Sequence, residues 1–253
     1  MTGSLFEAAA EKPLPEQLRP QRLSDVVGQD HLLGPGAPLS RMVDTKKLAS
    51  FILWGPPGVG KTTIARLIAD EAGLDFVQLS AVLSGIADLR KVIETARQVR
   101  QSSARQTVVF VDELHRFNRT TQDALLPHVE DGTIILIGAT TENPSFSIVA
   151  ALLSRTKVYT LNRFSPEDLE MLLQRAERHV GRELPVTPDA RHALIGMADG
   201  DGRYLLGLSE DVFALDVDQP LDVRDLSQAV QKRAPVYDRA QDAHYNLLSC
   251  FHK

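Results

Sequence analysis

One segment of the sequence has the residue types and spacing of a phosphate-binding loop. It fits the pattern G-x-x-x-x-G-K-[ST], whose glycines let backbone N–H groups turn toward a phosphate at the start of a helix. Lys61 is then expected to hold the outer phosphates of ATP, and the Thr62 hydroxyl to bind the Mg²⁺ that bridges them. The candidate nucleotide-binding residues are Gly55, Pro56, Pro57, Gly58, Val59, Gly60, Lys61, Thr62 and Thr63.

The alternative is a glycine turn that happens to precede a lysine. An apolar run at 51–54 precedes the loop, and apolar residues recur at helical spacing after Lys61. A buried strand before the loop and a helix after it are what a phosphate-binding loop requires. The flanking sequence therefore favours nucleotide binding.

A second group with chemical potential is the acidic pair Asp112 and Glu113, which follows the apolar run at 108–111. In an open α/β sheet, ligands bind at the carboxyl ends of the strands. Asp112 is expected to support Mg²⁺, and Glu113 to orient and deprotonate an attacking water. In a sequence without the candidate phosphate-binding loop, two acids after an apolar run would simply mark the end of a strand. His115, two residues further on, is more often structural in such a position than a contact for substrate or metal.

Polar residues also follow the apolar run at 134–138. They include Thr140, Thr141 and Asn143, whose hydroxyl or amide groups could position the water. The alternative is a turn in which Thr, Asn and Pro serve the backbone. The pattern alone does not separate the two.

The elements that must position these residues alternate between strand and helix. Strand patterns lie at 51–54, 76–79, 108–111 and 134–137, and helical patterns lie near 86–103 and 119–128. This alternation predicts an α/β fold with a mostly parallel sheet covered by helices on both faces.

After about residue 164 the predicted elements are helices. Ser165-Pro166 and Thr187-Pro188 each combine a hydroxyl N-cap with proline at the first helical position. We therefore expect four regions. They are a loop-rich lead-in at 1–50, an α/β nucleotide-binding domain at 51–164, a small helical domain at 165–232, and a final region at 233–253.

Composition excludes several classes of protein. The 253 residues carry a net charge of −5, which argues against coating nucleic acid by bulk charge. No apolar run has the roughly 18 residues that a membrane span requires, and the N-terminus does not resemble a secretory signal. With a single cysteine, Cys250, the simplest expectation is a reduced, cytoplasmic compartment. A basic stripe on the helix at 86–105 could contact DNA, but a solvated helix face is the simpler interpretation. Its residues are Arg90, Lys91, Arg97, Arg100 and Arg105.

These motifs resemble the AAA+ ATPases, and within them the RarA (MgsA) family, related to the Werner-helicase-interacting protein. The phosphate loop is shared by many NTPases. The similarity is more specific in HRFN at 115–118, QDALLPHVEDG at 122–132 and GATTENPSF at 138–146, and it extends to the segments at 18–39 and 242–253. It implies an AAA+ nucleotide-binding domain followed by an all-helical lid.

The resemblance assigns further roles. It implies that Thr141, or alternatively Thr140 or Asn143, is a sensor residue, and that Arg155 reaches the ATP of a neighbouring subunit. Arg203 then contacts the γ-phosphate from the lid, although Tyr204 stands where family members usually carry a second arginine. Around the adenine, the family places residues of the segment at 18–29, among them Arg19, Val27 and Gln29.

For function, the resemblance implies a DNA-dependent ATPase that acts at replication forks in recombination, repair and restart. The implied partners are DNA forks, gaps or ends, single-strand-binding protein, and other copies of the chain in a tetramer, close to the nucleoid. Family members continue beyond the position of Lys253, so we expect a longer natural chain with a C-terminal oligomerisation region.

Three alternatives remain open. One is a clamp-loader or Holliday-junction branch-migration subunit, which would share the same nucleotide site. Another is a scaffold that binds ATP and hardly hydrolyses it, which Glu113 argues against. The third is a small-molecule kinase, which the helical lid and Arg155 argue against.

Overall fold

The computed structural model describes residues 12–103 and 105–231. The predicted C-terminal region at 233–253 lies outside the described residues. Five strands form one sheet: β1 (Phe51–Trp54), β2 (Asp75–Ser80), β3 (Thr107–Asp112), β4 (Ile134–Thr140) and β5 (Lys157–Thr160). The helices are α1 (Leu14–Gln17), α2 (Asp30–Leu33), α3 (Pro38–Asp44), α4 (Lys61–Glu71), α5 (Ile86–Ser103), α6 (Arg119–Asp123), α7 (Leu126–Glu130), α8 (Pro144–Ser147), α9 (Ala150–Leu153), α10 (Pro166–Val180), α11 (Pro188–Ala198), α12 (Gly202–Phe213) and α13 (Val223–Gln231).

The sheet is parallel throughout, in the order β2-β3-β4-β1-β5. Neighbouring residues of β3 point to opposite faces. Val108 and Phe110 join a core with helices α3 and α4, whereas Val109 and Val111 join a second core with α5. Because both faces are buried, β1, β3 and β4 contain near-continuous apolar runs. The predicted parallel α/β sheet, covered on both faces, is confirmed.

The sequence pattern did not predict β5. Its residues Lys157–Thr160 pair with β1 at the edge of the sheet, and all four stay at least partly exposed. An edge strand with charged and polar residues lacks the apolar run that marks a buried strand.

A separate helical unit follows the sheet. Its core comes mainly from α10, α11 and α12, with Leu169, Leu173, Leu194 and Leu205 buried inside it. Ser165 forms a capping box with Asp168 at the start of α10, and the Thr187 side chain accepts from the Ala190 N–H at the start of α11. Both predicted helix starts are therefore confirmed. No helix in 12–103 or 105–231 has the length and apolarity needed to cross a membrane.

Candidate active site

A cavity of about 540 Å³ lies between the sheet edge, the N-terminal segment and the first residues of α12. Its volume falls within the roughly 300–1,000 Å³ of most small-molecule sites. The wall includes these sequence-predicted residues: Arg19, Val27, Pro57, Gly58, Val59, Gly60, Lys61, Thr62, Thr63, Asp112, Glu113 and Arg203. One cavity thus brings together the candidate phosphate loop, the acidic pair and the helical unit.

The loop after β1 turns on two glycines with left-handed backbone. Gly58 has φ +68° and Gly60 has φ +95°, a region that side chains other than glycine rarely adopt. Gly60 is the N-cap of α4, so the free N–H groups of the first helical turn point toward the cavity side of the loop. A Cβ on Gly58 would also meet Asp201 Oδ1 at 1.7 Å. Only glycine at position 58 therefore fits this loop conformation and leaves the space between the loop and Asp201 free.

Lys61 is the first residue of α4 and is 7% exposed. Its Nζ donates to the carbonyl oxygens of Gly55 at 2.8 Å and Pro56 at 2.7 Å, so these two residues hold the lysine rather than line the cavity. Burial lowers the pKa of the Lys61 ammonium, while the charges of Glu113 and Asp112 oppose that shift. A desolvated ammonium that is held by two backbone carbonyl oxygens is well suited to an anionic ligand.

Asp112 ends β3 and Glu113 begins the turn that follows. Glu113 has φ +53° and ψ +47°, a left-handed conformation unusual for a residue with a side chain. Its N–H donates to Asp112 Oδ1 at 3.2 Å. Thr62 and Asp112 both lie on the cavity wall and offer a hydroxyl and a carboxylate. Oxygen groups of this kind, few in number and completed by substrate phosphates, fit Mg²⁺. The donor set and the glycine-containing loop together fit an ATP–Mg²⁺ complex.

The tip of β4 reaches Glu113. Thr141 Oγ1 donates to Glu113 Oε2 at 3.4 Å. His115 also faces this carboxylate, with its Nε2 3.3 Å from Glu113 Oε2, and the ring is almost completely buried. Thr140 is fully buried, and Asn143 accepts from the Ser145 N–H to cap α8. Of the three candidate sensor residues, the structure thus places only Thr141 in contact with Glu113.

Arg203 lies in the first turn of α12 and on the cavity wall. Asp201, two residues before Arg203, is the N-cap of that helix and accepts from the Tyr204 N–H at 2.8 Å. Arg203 and Asp201 are both close enough to affect the pKa of Lys61, in opposite directions. Tyr204 is half exposed and is not among the residues that line the cavity.

Five of the predicted site residues do not line the cavity: Gly55, Pro56, Thr141, Arg155 and Gln29. Arg155 pairs with Glu130 at the end of α7, and its guanidinium also donates to Ala151 O at 2.8 Å and Ser154 Oγ at 2.9 Å. Gln29 is 1% exposed, and its amide makes two hydrogen bonds with the backbone of Asn162, at 2.9 and 3.1 Å. In this chain Gln29 therefore holds the segment before α2 to the residues after β5.

Sequence reasoning missed four cavity residues that come from the helical side of the site. Phe164, Leu172, Arg175 and Leu206 all line the wall. Arg175 also donates to the Asp25 carbonyl at 2.9 Å, which joins α10 to the N-terminal segment. The spacing of Leu172 and Arg175 places them on one face of α10. Which face points to a ligand depends on packing that the pattern does not reveal.

Two family models match the chain. Residues 51–163 match the ATPase family associated with various cellular activities (AAA), and residues 180–253 match the AAA C-terminal domain. Among solved structures, the Thermotoga maritima RuvB Holliday junction branch migration motor has a TM-score of 0.69, covering 85% of this chain and 72% of that one. At 24% identity, this likeness is one of fold.

Two relatives found by sequence have higher identity to this chain than that solved structure. Replication-associated recombination protein A of Escherichia coli K12 is 43% identical over 252 residues, which are 96% of this chain and 56% of the relative. ATPase WRNIP1 of Dictyostelium discoideum is 37% identical over 272 residues, covering 98% of this chain and 31% of the relative. The chain thus spans about half the length of the bacterial relatives it matches. This chain belongs to the AAA family of ATPases and is similar to replication-associated recombination protein A and to WRNIP1.

Proposed function

We propose that the chain is the ATPase part of a DNA-dependent motor that acts at replication forks in recombination, repair and restart. It hydrolyses ATP at a site shared between subunits and uses the turnover to remodel DNA. The single observation that supports this proposal most strongly is the cavity where Lys61, the acidic pair and Arg203 meet. Similarity to replication-associated recombination protein A supplies the DNA context.

In the proposed mechanism, ATP lies in the cavity with its phosphates against the loop at 55–62. Lys61 neutralises charge on the outer phosphates, and the N–H groups at the start of α4 bind them. Thr62 and Asp112 would hold Mg²⁺, which supplies further charge neutralisation at the phosphate oxygens when bound. The adenine would lie toward Arg19 and Val27, on the N-terminal side of the wall.

The reaction is attack of water on the γ-phosphate. Glu113 takes a proton from that water. Thr141 orients the water, since its Oγ1 lies 3.4 Å from Glu113 Oε2. Arg203 contacts the γ-phosphate from α12 and so couples hydrolysis to movement of the helical unit. Arg155, which does not line the cavity of its own chain, would complete the site of a neighbouring copy, where such an arginine stabilises transferring charge.

The proposal extends to the location, assembly and partners of the chain. The chain would work in the cytoplasm close to the nucleoid, as a homo-oligomer, with single-strand-binding protein at the DNA. A clamp-loader or branch-migration subunit would use the same chemistry on a different partner. A nucleotide-gated scaffold would bind ATP without turnover, which the position of Glu113 argues against.

Steady-state ATP hydrolysis tests this proposal. The assay compares the chain alone, with forked DNA, with gapped DNA and with intact duplex of equal length. We expect forked or gapped DNA to stimulate turnover, and Glu113→Gln to reduce it by roughly 10²-fold or more because the general base is lost. ATP binding by that variant should persist.

Glu183→Gln is the matched control, because it removes an exposed carboxylate outside the cavity. It should hydrolyse ATP like the unchanged chain. Full hydrolysis by Glu113→Gln would refute the assigned chemistry. If no DNA changes the rate of ATP hydrolysis, the proposed DNA dependence is refuted, but the assigned ATPase chemistry is not.

A further inference from the structure

His115 occupies an unusual position beside the proposed catalytic base. It lies in the short 3-10 turn at Leu114–Arg116, directly after the left-handed Glu113. Leu114 is fully buried and packs against Gly138 of β4, where a Cβ would come within 2.6 Å of Leu114 Cδ2. Burial of Leu114 thus fixes the turn beneath the sheet edge. As a result, the ring of His115 points back into the protein instead of into solvent.

The two ring nitrogens of His115 have different partners. Nδ1 lies 2.9 Å from Thr140 Oγ1, at the end of β4. Nε2 lies 3.3 Å from Glu113 Oε2 and 3.5 Å from Glu142 Oε1. Because two carboxylate oxygens lie within 3.5 Å of Nε2, the tautomer with the ring proton on Nε2 is favoured. The ring therefore links the tip of β4 to the carboxylate of Glu113.

The contact with His115 restricts the orientation of the Glu113 carboxylate, which must contact the attacking water in the proposed reaction. Glu113 is about one-third exposed, whereas the side chain of His115 is 4% exposed. A buried ring anchored by Thr140 can hold a partly exposed carboxylate in one orientation, which a mobile surface partner cannot. Its Nε2 lies within 3.5 Å of a carboxylate oxygen of both Glu113 and Glu142. His115 is not among the residues that line the cavity.

We propose that His115 is a positioning residue for Glu113, coupling the orientation of the base to the tip of β4. This inference rests on the proposed function, in which Glu113 activates the water. His115 holds the Glu113 carboxylate toward the γ-phosphate, and a shift of Thr140 or Thr141 at the tip of β4 is transmitted to the base through the ring.

Two conservative variants separate the two ends of the ring. His115→Gln extends an amide toward the position of Nε2 and can still donate to Glu113. His115→Asn extends only to the region of Nδ1 and can keep the contact with Thr140. His115→Leu fills similar space with neither bond. All three are assayed for ATP hydrolysis, binding of a fluorescent ATP analogue, and thermal unfolding.

We expect His115→Asn and His115→Leu to lower kcat by roughly 10- to 100-fold, as loss of an orienting partner does at other sites. His115→Gln should stay within about fivefold of the unchanged chain, because its donor to the carboxylate remains. KM for ATP and nucleotide affinity should stay within about twofold in all three, since the ring does not line the cavity.

Two results would overturn the inference. One is full activity in His115→Asn. The other is equal loss in His115→Gln and His115→Asn at equal thermal stability, which would indicate a merely structural ring. If His115→Leu does not fold, the two amide variants still decide the question. Glu113→Gln in the same assay separates the failures: if that variant is fully active, the proposed function fails, whatever His115 does.

Discussion

At the scale of single residues, the site depends on positions where side-chain chemistry and backbone conformation must agree. Glu113 adopts a left-handed conformation that costs about 1 kcal/mol or more for a residue with a Cβ. The cost is offset by burial of Leu114 immediately after it. The sharp turn lets Asp112 end the strand on the cavity wall while Glu113 reaches toward Thr141. One backbone conformation thus gives two neighbouring acids different surroundings.

Gly58 provides a test at this scale. Its φ of +68° favours glycine, and a Cβ would meet Asp201 at the start of α12. Gly58→Ala should destabilise the fold by about 1 kcal/mol through backbone strain. It should also weaken ATP binding by roughly tenfold or more, because the loop and Asp201 must move apart. Thermal unfolding and titration with a fluorescent ATP analogue measure the two effects.

Gly36→Ala is the matched control for that substitution. Gly36 has φ +72°, almost the same conformation, but a Cβ there would have no neighbour within 4 Å. We expect a similar loss of stability and unchanged nucleotide affinity. Equal affinities in the two variants would show that close contact between the loop and Asp201 is unimportant for binding.

At the scale of elements, the helical unit is held together by an ionic network as well as by its leucine core. Arg191 on α11 contacts two glutamates of α10, with 2.9 Å between its Nε and Glu170 Oε2 and 2.6 Å between its Nη1 and Glu177 Oε1. The hydrogen bonds from Arg191 lower the pKa of both carboxyls below their usual 4.5. Paired contacts of this kind fix the angle between two helices as well as adding stability.

Replacing Arg191 tests the network. Arg191→Met should reduce the free energy of unfolding at pH 7 by about 1–3 kcal/mol, the usual contribution of hydrogen bonds to charged groups. Because the glutamate pKa values are lower in the folded chain than in the unfolded one, the stabilisation is present above pH 4.5 and is lost as pH falls below it. The difference in the free energy of unfolding between Arg191→Met and the unchanged chain should therefore become smaller at acidic pH.

Denaturant unfolding between pH 3 and pH 7 checks this expectation. Arg178→Met is the control, because Arg178 is exposed on α10 and its Nε donates to the backbone oxygen of Gln174. That variant should stay within about 0.5 kcal/mol of the unchanged chain. A pH-independent effect of Arg191→Met would contradict the ionic explanation.

The elements also explain which features the sequence could predict. Continuous apolar runs identified β1 and β3 because a strand buried on both faces has no polar side. Ser165 and Thr187 marked helix starts because capping is local. In contrast, β5 was missed because its exposed edge residues lack that run, and Arg175 was missed because its place on the cavity wall depends on how α10 packs. Features that depend on tertiary packing therefore could not be predicted from the sequence pattern.

At the scale of the whole molecule, the chain contains most of one proposed catalytic site and a piece of another. Lys61, Glu113 and Arg203 meet at one cavity, but Arg155 lies elsewhere and is paired with Glu130. In the proposed mechanism, this arginine acts on the ATP of another copy. A head-to-tail arrangement of subunits, in which each copy uses a different surface to contact its neighbour, would place it there.

Mixing two inactive variants tests this claim most directly. Glu113→Gln keeps Arg155 but lacks the base, whereas Arg155→Ala keeps the base but lacks the arginine. In an equal, random mixture, a site has its own Glu113 and a neighbour's Arg155 about one time in four. We therefore predict that each variant alone is inactive and that the mixture recovers about a quarter of the activity of the unchanged chain, rising with protein concentration. A mixture that co-assembles by light scattering yet stays inactive, or Arg155→Ala that is fully active alone, would contradict a site shared between subunits.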